Sequence, residues 1–317
     1  MAINEDKTKL LYKIAKAYYD DNLTYQQIGK RFGFSRMKVS RLLEQAKDEK
    51  IVQIIITSPQ TANAELERKL EAQYNLDEAV IVTPPSYQSA VVTQALGPAG
   101  ASYLLRSLQG QEIIGLSWGT ALLAIVDALP FNHWPNLKVV PTTGGLGHLE
   151  SETYGADLVR RMAQAFGARS HVIPAPGVVK SKLVHDDLMA NPQISEALTI
   201  AARADICLVG IGRPIVGSVV LESGILTVNE LEQLQTLGAV GDIVLRFFDA
   251  DGRAVEHEIN DRIIGLNLDH IRQIPRVIGI AGGAHKFEVI RGALRGKLVN
   301  VLITDDKTAV RLLEEAG

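Results

Sequence analysis

The stretch FSRMKVSRLL, which begins at Phe34, concentrates cations and hydroxyl groups in ten residues. Arg36, Lys38 and Arg41 lie within six residues, and two serines stand beside them. Arginine and lysine neutralise phosphates, arginine also pairs with base edges, and serine makes single hydrogen bonds to either. The stretch therefore has the chemistry of a polyanion-binding surface, provided that one helix presents these side chains on one face.

A helix-turn-helix would position this surface. Apolar residues at helical spacing predict a first helix over Lys7–Tyr19. Thr24 stands three residues before a glutamine, a capping-box pattern that predicts the start of a short second helix, which a glycine ends. Ser35 then predicts the N-cap of a third helix that runs to about Lys47.

The third helix has two faces. Its predicted inward face consists of Val39, Leu42, Leu43 and Ala46. The opposite face, which we name the recognition stripe, consists of Arg36, Met37, Ser40, Arg41 and Glu44. The candidates for DNA contact are Thr24, Ser35, Arg36, Met37, Lys38, Ser40 and Arg41. A charged helix face is more often merely solvated, but the order of short helix, glycine turn and serine-capped helix favours DNA binding.

The charge composition indicates a small basic N-terminal region followed by a larger acidic region. Residues 1–50 contain 11 Lys and Arg against 7 Asp and Glu, whereas the remainder contains 22 against 29. Hydrophobic residues make up 46% of the 317, enough for a sizeable core, and 5% aromatics argue against a stacking surface for single strands. The single cysteine excludes an internal disulfide. With no signal peptide and no apolar run long enough for a membrane span, we expect a cytoplasmic protein.

The two predicted domains meet near residue 58. The apolar run Ile51–Thr57 predicts a strand, a wing or hinge packed on the helices, and Ser58–Asn63 predicts a loop. The helix predicted over Ala64–Tyr74 then opens the second domain. The chain thus divides into a helix-turn-helix domain, winged-helix-like, over residues 1–57 and an effector-binding and oligomerisation domain over 58–317.

Beyond residue 78, apolar runs alternate with helical stretches, which predicts βαβ units and a mostly parallel, Rossmann-like α/β sheet. Four of the runs end in loops of small residues. These loops are Ser117–Thr120, Pro141–Gly147, Gly210–Arg213 and Ala281–Lys286. Because open α/β sheets bind ligands beyond the carboxyl ends of their strands, we expect the loops to form one site.

The loops favour a small anion. Glycines let backbone amides approach a ligand, and Ser117, Thr120, Thr142 and Thr143 carry hydroxyl groups. Arg213 or Lys286 would balance the charge of a phosphate monoester. No loop matches a dinucleotide fingerprint or a Walker A sequence. Strand–helix turns need glycines in any case, so purely structural turns are the alternative interpretation.

Single residues of these loops have two interpretations each. Asp242 could accept hydrogen bonds from sugar hydroxyls or cap a turn. His148 and His285 could contact a ligand, although an isolated loop histidine is more often solvated. Lys286 could pair with a phosphate, its commoner role, or form a Schiff base with an aldehyde.

Two further patterns concern turns and metals. Asp249–Gly252 predicts a hairpin turn between strands over 243–248 and 253–259, not a calcium loop. No spaced cluster of His, Asp and Glu predicts a metal site, and we expect no cofactor.

Several motifs in order resemble one family over nearly the whole chain. They are LTYQQIGKRFGFSRMKVSRLLEQAKDEKIVQIII, IGLSWGTAL, PTTGG, LVGIG, GAVGDI, IPRVIGIAGGAHKFEVIRGAL and VNVLITDDKTA. The chain resembles bacterial sugar-binding transcriptional regulators of the SorC family, relatives of the deoxyribonucleoside and central glycolytic gene regulators.

The resemblance implies a body similar in fold to phosphosugar isomerases and deaminases, a phosphorylated sugar as effector, and a dimer or tetramer. The implied effector-binding residues, with Arg213 added from its charge, are Ser117, Gly119, Thr120, Thr143, Gly144, Gly145, Gly212, Arg213, Asp242, Gly283 and Lys286. Some relatives carry a lysine in the loop after the second of the four strands for covalent aldehyde capture. This chain has Thr142 and Thr143 there, so we expect reversible binding.

The leading hypothesis is a repressor or activator of a carbohydrate-catabolism operon, which binds double-stranded operator DNA and is controlled by the phosphosugar. The alternative is a phosphosugar isomerase or deaminase with a fused DNA-binding head, for which Asp242 and His148 would be the candidate bases. The sequence leaves open the identity of the sugar, the sign of its effect, the operator sequence and the choice between dimer and tetramer.

Overall fold

The structure is a computed structural model that describes residues 2–53, 63–145, 155–215, 217–222 and 224–315. The chain divides into two compact units, Met1–Gln60 and Thr61–Gly317, which we name the head and the body. The boundary near residue 58 stays a prediction, because the residues around it lie outside the described part of the chain.

The head consists of three helices, α1 (Ala2–Tyr19), α2 (Tyr25–Phe32) and α3 (Arg36–Asp48). The first helix begins at Ala2, earlier than the predicted start at Lys7. Thr24 Oγ1 accepts a hydrogen bond from the Gln27 amide at 3.4 Å, and the Gln27 side chain accepts from the Thr24 amide at 2.8 Å. The capping box predicted at this position is therefore confirmed.

Two glycines shape the turn between α2 and α3. Gly33 has φ +72°, a left-handed conformation that glycine adopts without steric cost. A Cβ on Gly29 would lie 2.5 Å from the Phe34 carbonyl oxygen, so a larger residue would push the turn away from α2. Ser35 then caps α3 by accepting from the Lys38 amide at 3.2 Å.

The core of the head lies between the three helices. The buried members of α3 are Val39, Leu43 and Ala46, which face Leu11, Ile14 and Ile28. The predicted strand Ile51–Thr57 is not seen where it is described, because residues 51–53 form bends and an irregular segment. Residues 54–57 and most of the predicted loop Ser58–Asn63 lie outside the described residues.

The body alternates strands and helices as predicted. Its strands are β1 (Glu78–Val82), β2 (Ile113–Leu116), β3 (Lys138–Pro141), β4 (Arg169–Ser170), β5 (Ile206–Gly210), β6 (Gly241–Ile243), β7 (Arg246–Phe248), β8 (Arg276–Ile280) and β9 (Val301–Asp305). Its helices are α4 (Ala64–Tyr74), α5 (Ser89–Ser107), α6 (Thr120–Asp127), α7 (Gly155–Phe166), α8 (Lys182–Met189), α9 (Pro192–Ala202), α10 (Val219–Glu222), α11 (Val228–Thr236), α12 (Leu268–Gln273), α13 (Phe287–Arg295) and α14 (Asp306–Glu314).

Within the described residues, seven strands form a parallel sheet in the order β1-β9-β8-β5-β2-β3-β4. The chain runs outward from β2 through β3 to β4 and then returns to add β5 on the other side of β2. Consecutive connections thus diverge at β2 and β5, which creates a crevice beyond their carboxyl ends. Helices cover both faces of the sheet, and its central strands are almost entirely buried.

The strands predicted on either side of Asp249–Gly252, over 243–248 and 253–259, do not form as predicted. Strands β6 and β7 pair antiparallel across a two-residue turn at Val244 and Leu245, which have φ +51° and +66°. After Asp249–Gly252, which does form a turn, only an isolated bridge from Ala254 to Phe248 follows. A branched apolar residue rarely adopts positive φ, so the sequence pattern suggested one continuous strand.

Candidate functional site

The recognition stripe lies on the solvent-exposed face of α3. Arg36, Met37 and Arg41 are exposed, and Ser40 is half-buried. Neither Arg36 nor Arg41 forms an ion pair with any described residue, and Lys38 lies over the Phe34 ring at 4.2 Å. Lys7, Lys16 and Arg31 elsewhere in the head do form ion pairs with carboxylates. The charges of Arg36 and Arg41 remain available to an external anion.

Thr24 and Ser35 have a role besides any contact with DNA. Each hydroxyl accepts a hydrogen bond from the first turn of a helix, α2 for Thr24 and α3 for Ser35. These caps fix where the two helices begin and therefore which residues of α3 project outward. Direct contacts from either hydroxyl to DNA stay a prediction.

A cavity of about 340 Å³ lies in the crevice of the body's sheet, beyond the carboxyl ends of β2, β5 and β8. The predicted site residues that line it are Ser117, Thr120, Gly212, Arg213, Asp242 and Lys286. Three of the four predicted loops contribute to it. The hairpin of β6 and β7 and the first turns of α5 complete its wall.

Gly212 and Asp242 form one unit in the cavity wall. Their backbones exchange two hydrogen bonds, at 2.8 and 3.1 Å. A Cβ on Gly212 would lie 1.9 Å from the Asp242 Oδ1, so only glycine leaves room for the carboxylate. Asp242 is 5% exposed, and burial raises its pKa to about 6, although Lys286 and the Leu245 amide favour the ionised form.

Three cationic or basic side chains line the cavity together with this carboxylate. Lys286 Nζ donates a hydrogen bond to the Ile211 carbonyl at 2.9 Å, and burial lowers the pKa of its ammonium against the opposing effect of Asp242. Arg213 is exposed to the cavity mouth and forms no ion pair among the described residues. Burial also lowers the pKa of His285, and both cations add to that shift.

The loop after β2 contributes a hydroxyl and a helix start. Ser117 is 3% exposed, and its hydroxyl has no hydrogen-bond partner among the described residues. Gly119, at φ +119°, precedes α6 and provides no side-chain cap, so the first amides of α6 are left for a ligand or solvent. Gly119 itself does not line the cavity, whereas Thr120 does.

The loop after β3 does not line this cavity where it is described. Gly144 donates its amide to the Ile264 carbonyl at 2.9 Å, and Gly145 donates to the Ala175 carbonyl at 2.8 Å. Thr143 is buried and bridges to Gly265. These groups serve backbone pairing, so their predicted contact with an effector stays a prediction, and His148 lies outside the described residues.

Gly283 also has a structural partner. Its amide donates to the Asp305 carboxylate at 2.6 Å, and Asp305 in turn accepts from the Thr308 hydroxyl and amide at the start of α14. The neighbouring Gly282 lines the cavity instead. The loop after β8 is therefore fixed by a hydrogen bond from Gly283 to the buried Asp305 carboxylate, and Gly282 of the same loop borders the cavity.

Comparisons with known proteins agree over both units. The family model of a sugar-binding domain matches residues 58–314, and that of sigma-70 region 4 matches residues 13–48. The deoxyribonucleoside regulator of Bacillus subtilis (strain 168) is 34% identical over 313 residues, 99% of this chain and 100% of the relative. The crystal structure of the full-length sorbitol operon regulator SorC from Klebsiella pneumoniae is 32% identical, with TM-score 0.74 over 97% of this chain and 99% of that one.

The chain belongs to the SorC family of sugar-binding transcriptional regulators. As a member of that family it is a DNA-binding regulator of a sugar-related operon, with a helix-turn-helix head and a sugar-binding body, and it is not an enzyme. The isomerase or deaminase alternative is thus not favoured. None of the helices among the described residues combines the length and apolar character that crossing a membrane requires.

Other residues of the SorC-type cavity had no signal in the sequence. They are Ser89, Thr93, Leu96, Trp118, Ile215, Ser218, Val220 and Val244. Ser89 and Thr93 lie one helical turn apart at the start of α5. Their spacing is visible in the sequence, but the sequence does not indicate that they border the cavity. The apolar members resemble ordinary core residues, so only the fold reveals that they border an open space.

Proposed function

We propose that the effector of this SorC-family regulator is a phosphorylated sugar, and that its binding in the cavity changes the affinity of the head for operator DNA. The observation that carries the proposal is that cations and a buried carboxylate line the same cavity. Arg213, Lys286 and Asp242 all border it, and Asp242 and Lys286 each favour the charged form of the other.

The cations suit a phosphate. Arg213 has no carboxylate partner among the described residues, and the Lys286 ammonium has the Ile211 carbonyl as its hydrogen-bond acceptor. A phosphate monoester offers charge and several acceptor oxygens to both groups, and to the Ser117 hydroxyl. The first amides of α6 add further donors.

The buried carboxylate suits sugar hydroxyls. A buried carboxylate is costly to maintain unless something hydrogen-bonds to it, and the Leu245 amide is the one backbone donor that favours its ionised form. Hydroxyl groups of a sugar would supply the missing donors. The volume of about 340 Å³ falls in the range of small-molecule pockets, and apolar walls such as Leu96 and Ile280 would cover the carbon skeleton.

Control of DNA binding requires two states with different effector affinities. If the effector binds one arrangement of the body more tightly, its binding shifts the population toward that arrangement. Thermodynamic linkage then demands that operator DNA change effector affinity by the same factor. Equal effector affinity with and without operator would contradict the proposal.

The proposal extends to assembly and to cofactors. We infer a homo-oligomer, a dimer or tetramer, because helix-turn-helix proteins read near-palindromic operators through paired heads. We also infer that effector binding needs no metal or organic cofactor, so treatment with EDTA should leave it unchanged. Sedimentation of the protein with and without a duplex operator tests the assembly.

The test is a titration of the full chain with matched ligands. Pentose 5-phosphates, hexose 6-phosphates and hexitol 6-phosphates are each compared with their unphosphorylated parents by calorimetry, and then for their effect on operator binding. We expect at least one phosphate ester to bind, its parent to bind about a hundredfold more weakly, and DNA affinity to change with it. An unphosphorylated sugar that binds as tightly as its phosphate would overturn the phosphate part alone.

A pair of variants separates cavity binding from general charge effects. Arg213→Gln removes the free cation at the cavity, and Arg169→Gln removes an exposed arginine of β4 outside it. We expect the first to weaken phosphosugar binding and the second to leave it unchanged. Equal losses in both would indicate nonspecific attraction of the anion.

A further inference from the structure

Met37 is an exposed apolar side chain of the recognition stripe. It is the second residue of α3 and is 68% exposed, whereas its neighbours Arg36 and Arg41 carry charge. Apolar residues are usually scattered on surfaces without consequence, but this one stands among unpaired cations at the start of the helix that faces DNA.

Packing of the head does not account for Met37. The inward face of α3 consists of Val39, Leu43 and Ala46, and the helical repeat of about 100° per residue places Met37 away from it. Truncation at this position should therefore leave the fold unaffected. Its side chain becomes buried only when another molecule covers the stripe.

The flanking charges identify that molecule as double-stranded DNA. In the major groove, the thymine C5 methyl is the one apolar group that a base pair presents, and apolar side chains recognise it by contact. Methionine is flexible and polarisable, so it can follow such a methyl closely. We propose that Met37 reads a thymine in each operator half-site through its C5 methyl, an inference that rests on the DNA-binding role of the stripe.

The test begins with selection of bound sequences from a random duplex library by the full chain, with and without the phosphosugar panel. Each thymine of the selected site is then replaced singly by deoxyuridine, which removes the methyl and keeps every hydrogen-bonding group. Affinities are measured by competition fluorescence anisotropy. At one position in each half-site we expect deoxyuridine to weaken binding about fourfold, the effect of one buried methyl.

Three variants connect that position to Met37. Met37→Ala should bind the site more weakly and lose the deoxyuridine effect, whereas Met37→Leu, which remains apolar, should keep it. Tyr12→Ala is the matched control, because Tyr12 is also a large exposed side chain of the head, 55% exposed, but lies on α1. Tyr12→Ala should keep the full loss of affinity on deoxyuridine substitution.

The outcomes separate this inference from the function on which it rests. A library that yields no enriched sequence would overturn both. An enriched site that tolerates deoxyuridine at every thymine would overturn only the reading by Met37. A methyl effect that persists in Met37→Ala would assign the thymine to another residue and would also overturn it.

Discussion

The head and the body both present cationic side chains, but they do so in opposite environments. In the head, Arg36 and Arg41 are exposed and without ion pairs in the described residues. In the body, Lys286 and Asp242 are largely buried. Burial lowers the pKa of Lys286 and raises the pKa of Asp242, which favours the neutral form of each group. Exposed cations attract a polyanion through long-range charge, which salt screens, whereas buried groups bind through fixed geometry and respond to pH.

The two regions also differ in how the chain builds them. The five residues of the recognition stripe lie within nine positions of one helix, Arg36 to Glu44, whereas the cavity is lined by segments from Ser89 to Lys286. A change in the head should therefore act on one contact at a time. A change in the cavity wall should disturb several groups together, and the largest effects are expected there.

The largest effect is expected from Gly212→Ala. The new Cβ would lie 1.9 Å from the Asp242 Oδ1, so the carboxylate or the loop after β5 must move. Overpacking of this kind should weaken effector binding about a hundredfold, measured by calorimetry, while DNA binding by the head continues. Gly210→Ala is the matched control, because its Cβ would meet no atom closer than 3.4 Å. Equal losses in the two variants would show that the Asp242 contact is not the cause.

The next effect concerns stability and pH. Burial raises the pKa of Asp242 from 3.8 to about 6, so the folded state holds a proton that the unfolded state releases, and stability falls as pH rises through this interval. Above pH 6 the full cost is present, roughly 3 kcal/mol. Asp242→Asn removes the ionisation and should stabilise the body by about that amount at pH 7.5 and by only about 0.5 kcal/mol at pH 4, although Lys286 loses a carboxylate neighbour.

Urea unfolding of both proteins at the two pH values measures this difference. The same variant should bind the effector more weakly, because an amide replaces the acceptor for sugar hydroxyls. A stabilisation that is equal at pH 4 and pH 7.5 would show that ionisation of Asp242 does not oppose folding. If Asp242→Asn makes the protein more stable but weakens effector binding, Asp242 is present for binding and not for stability.

In the head, Arg41→Ala should weaken DNA binding about tenfold at low salt and reduce the slope of log affinity against log salt by about one. The reason is that Arg41 is an exposed cation with no ion-pair partner among the described residues, so its charge is available to a phosphate. Fluorescence anisotropy at several salt concentrations measures both quantities. Lys16→Ala, a cation of α1 beside Asp20, should change neither. Loss of phosphosugar binding in Arg41→Ala would contradict the separation of the two regions.

The contrast between the regions also explains what could be predicted. The caps at Thr24 and Ser35 and the turn at Gly33 are local signals, so the sequence was sufficient to predict the helix-turn-helix. The four strands that precede the loops were equally clear, because buried parallel strands read as continuous apolar runs. These elements needed no knowledge of distant contacts.

The sequence alone could not show where distant segments bind the same groups. The sequence gives no partner for the amides of Gly144 and Gly283. In the fold, the Gly144 amide donates a hydrogen bond to the Ile264 carbonyl, and the Gly283 amide donates one to the Asp305 carboxylate. The turn at Val244 and Leu245 reverses a stretch that has the composition of one strand, and it is held by pairing with neighbours rather than by local preference. Asp242 was a candidate, but its burial against Gly212 appears only in three dimensions.

The smallest effects come from single hydroxyl groups, and they decide which loops belong to the site. Ser117 lines the cavity with a hydroxyl that has no partner in the described residues, so Ser117→Ala should weaken effector binding about fivefold, the value of one ordinary hydrogen bond. Thr143 is buried beside Gly265 and does not line the cavity, so Thr143→Val should change effector binding less than about twofold. Calorimetry on both variants, with thermal unfolding as a check on folding, gives the comparison. A loss at Thr143 as large as that at Ser117, without a loss of stability, would extend the site to the loop after β3, as the family resemblance implies.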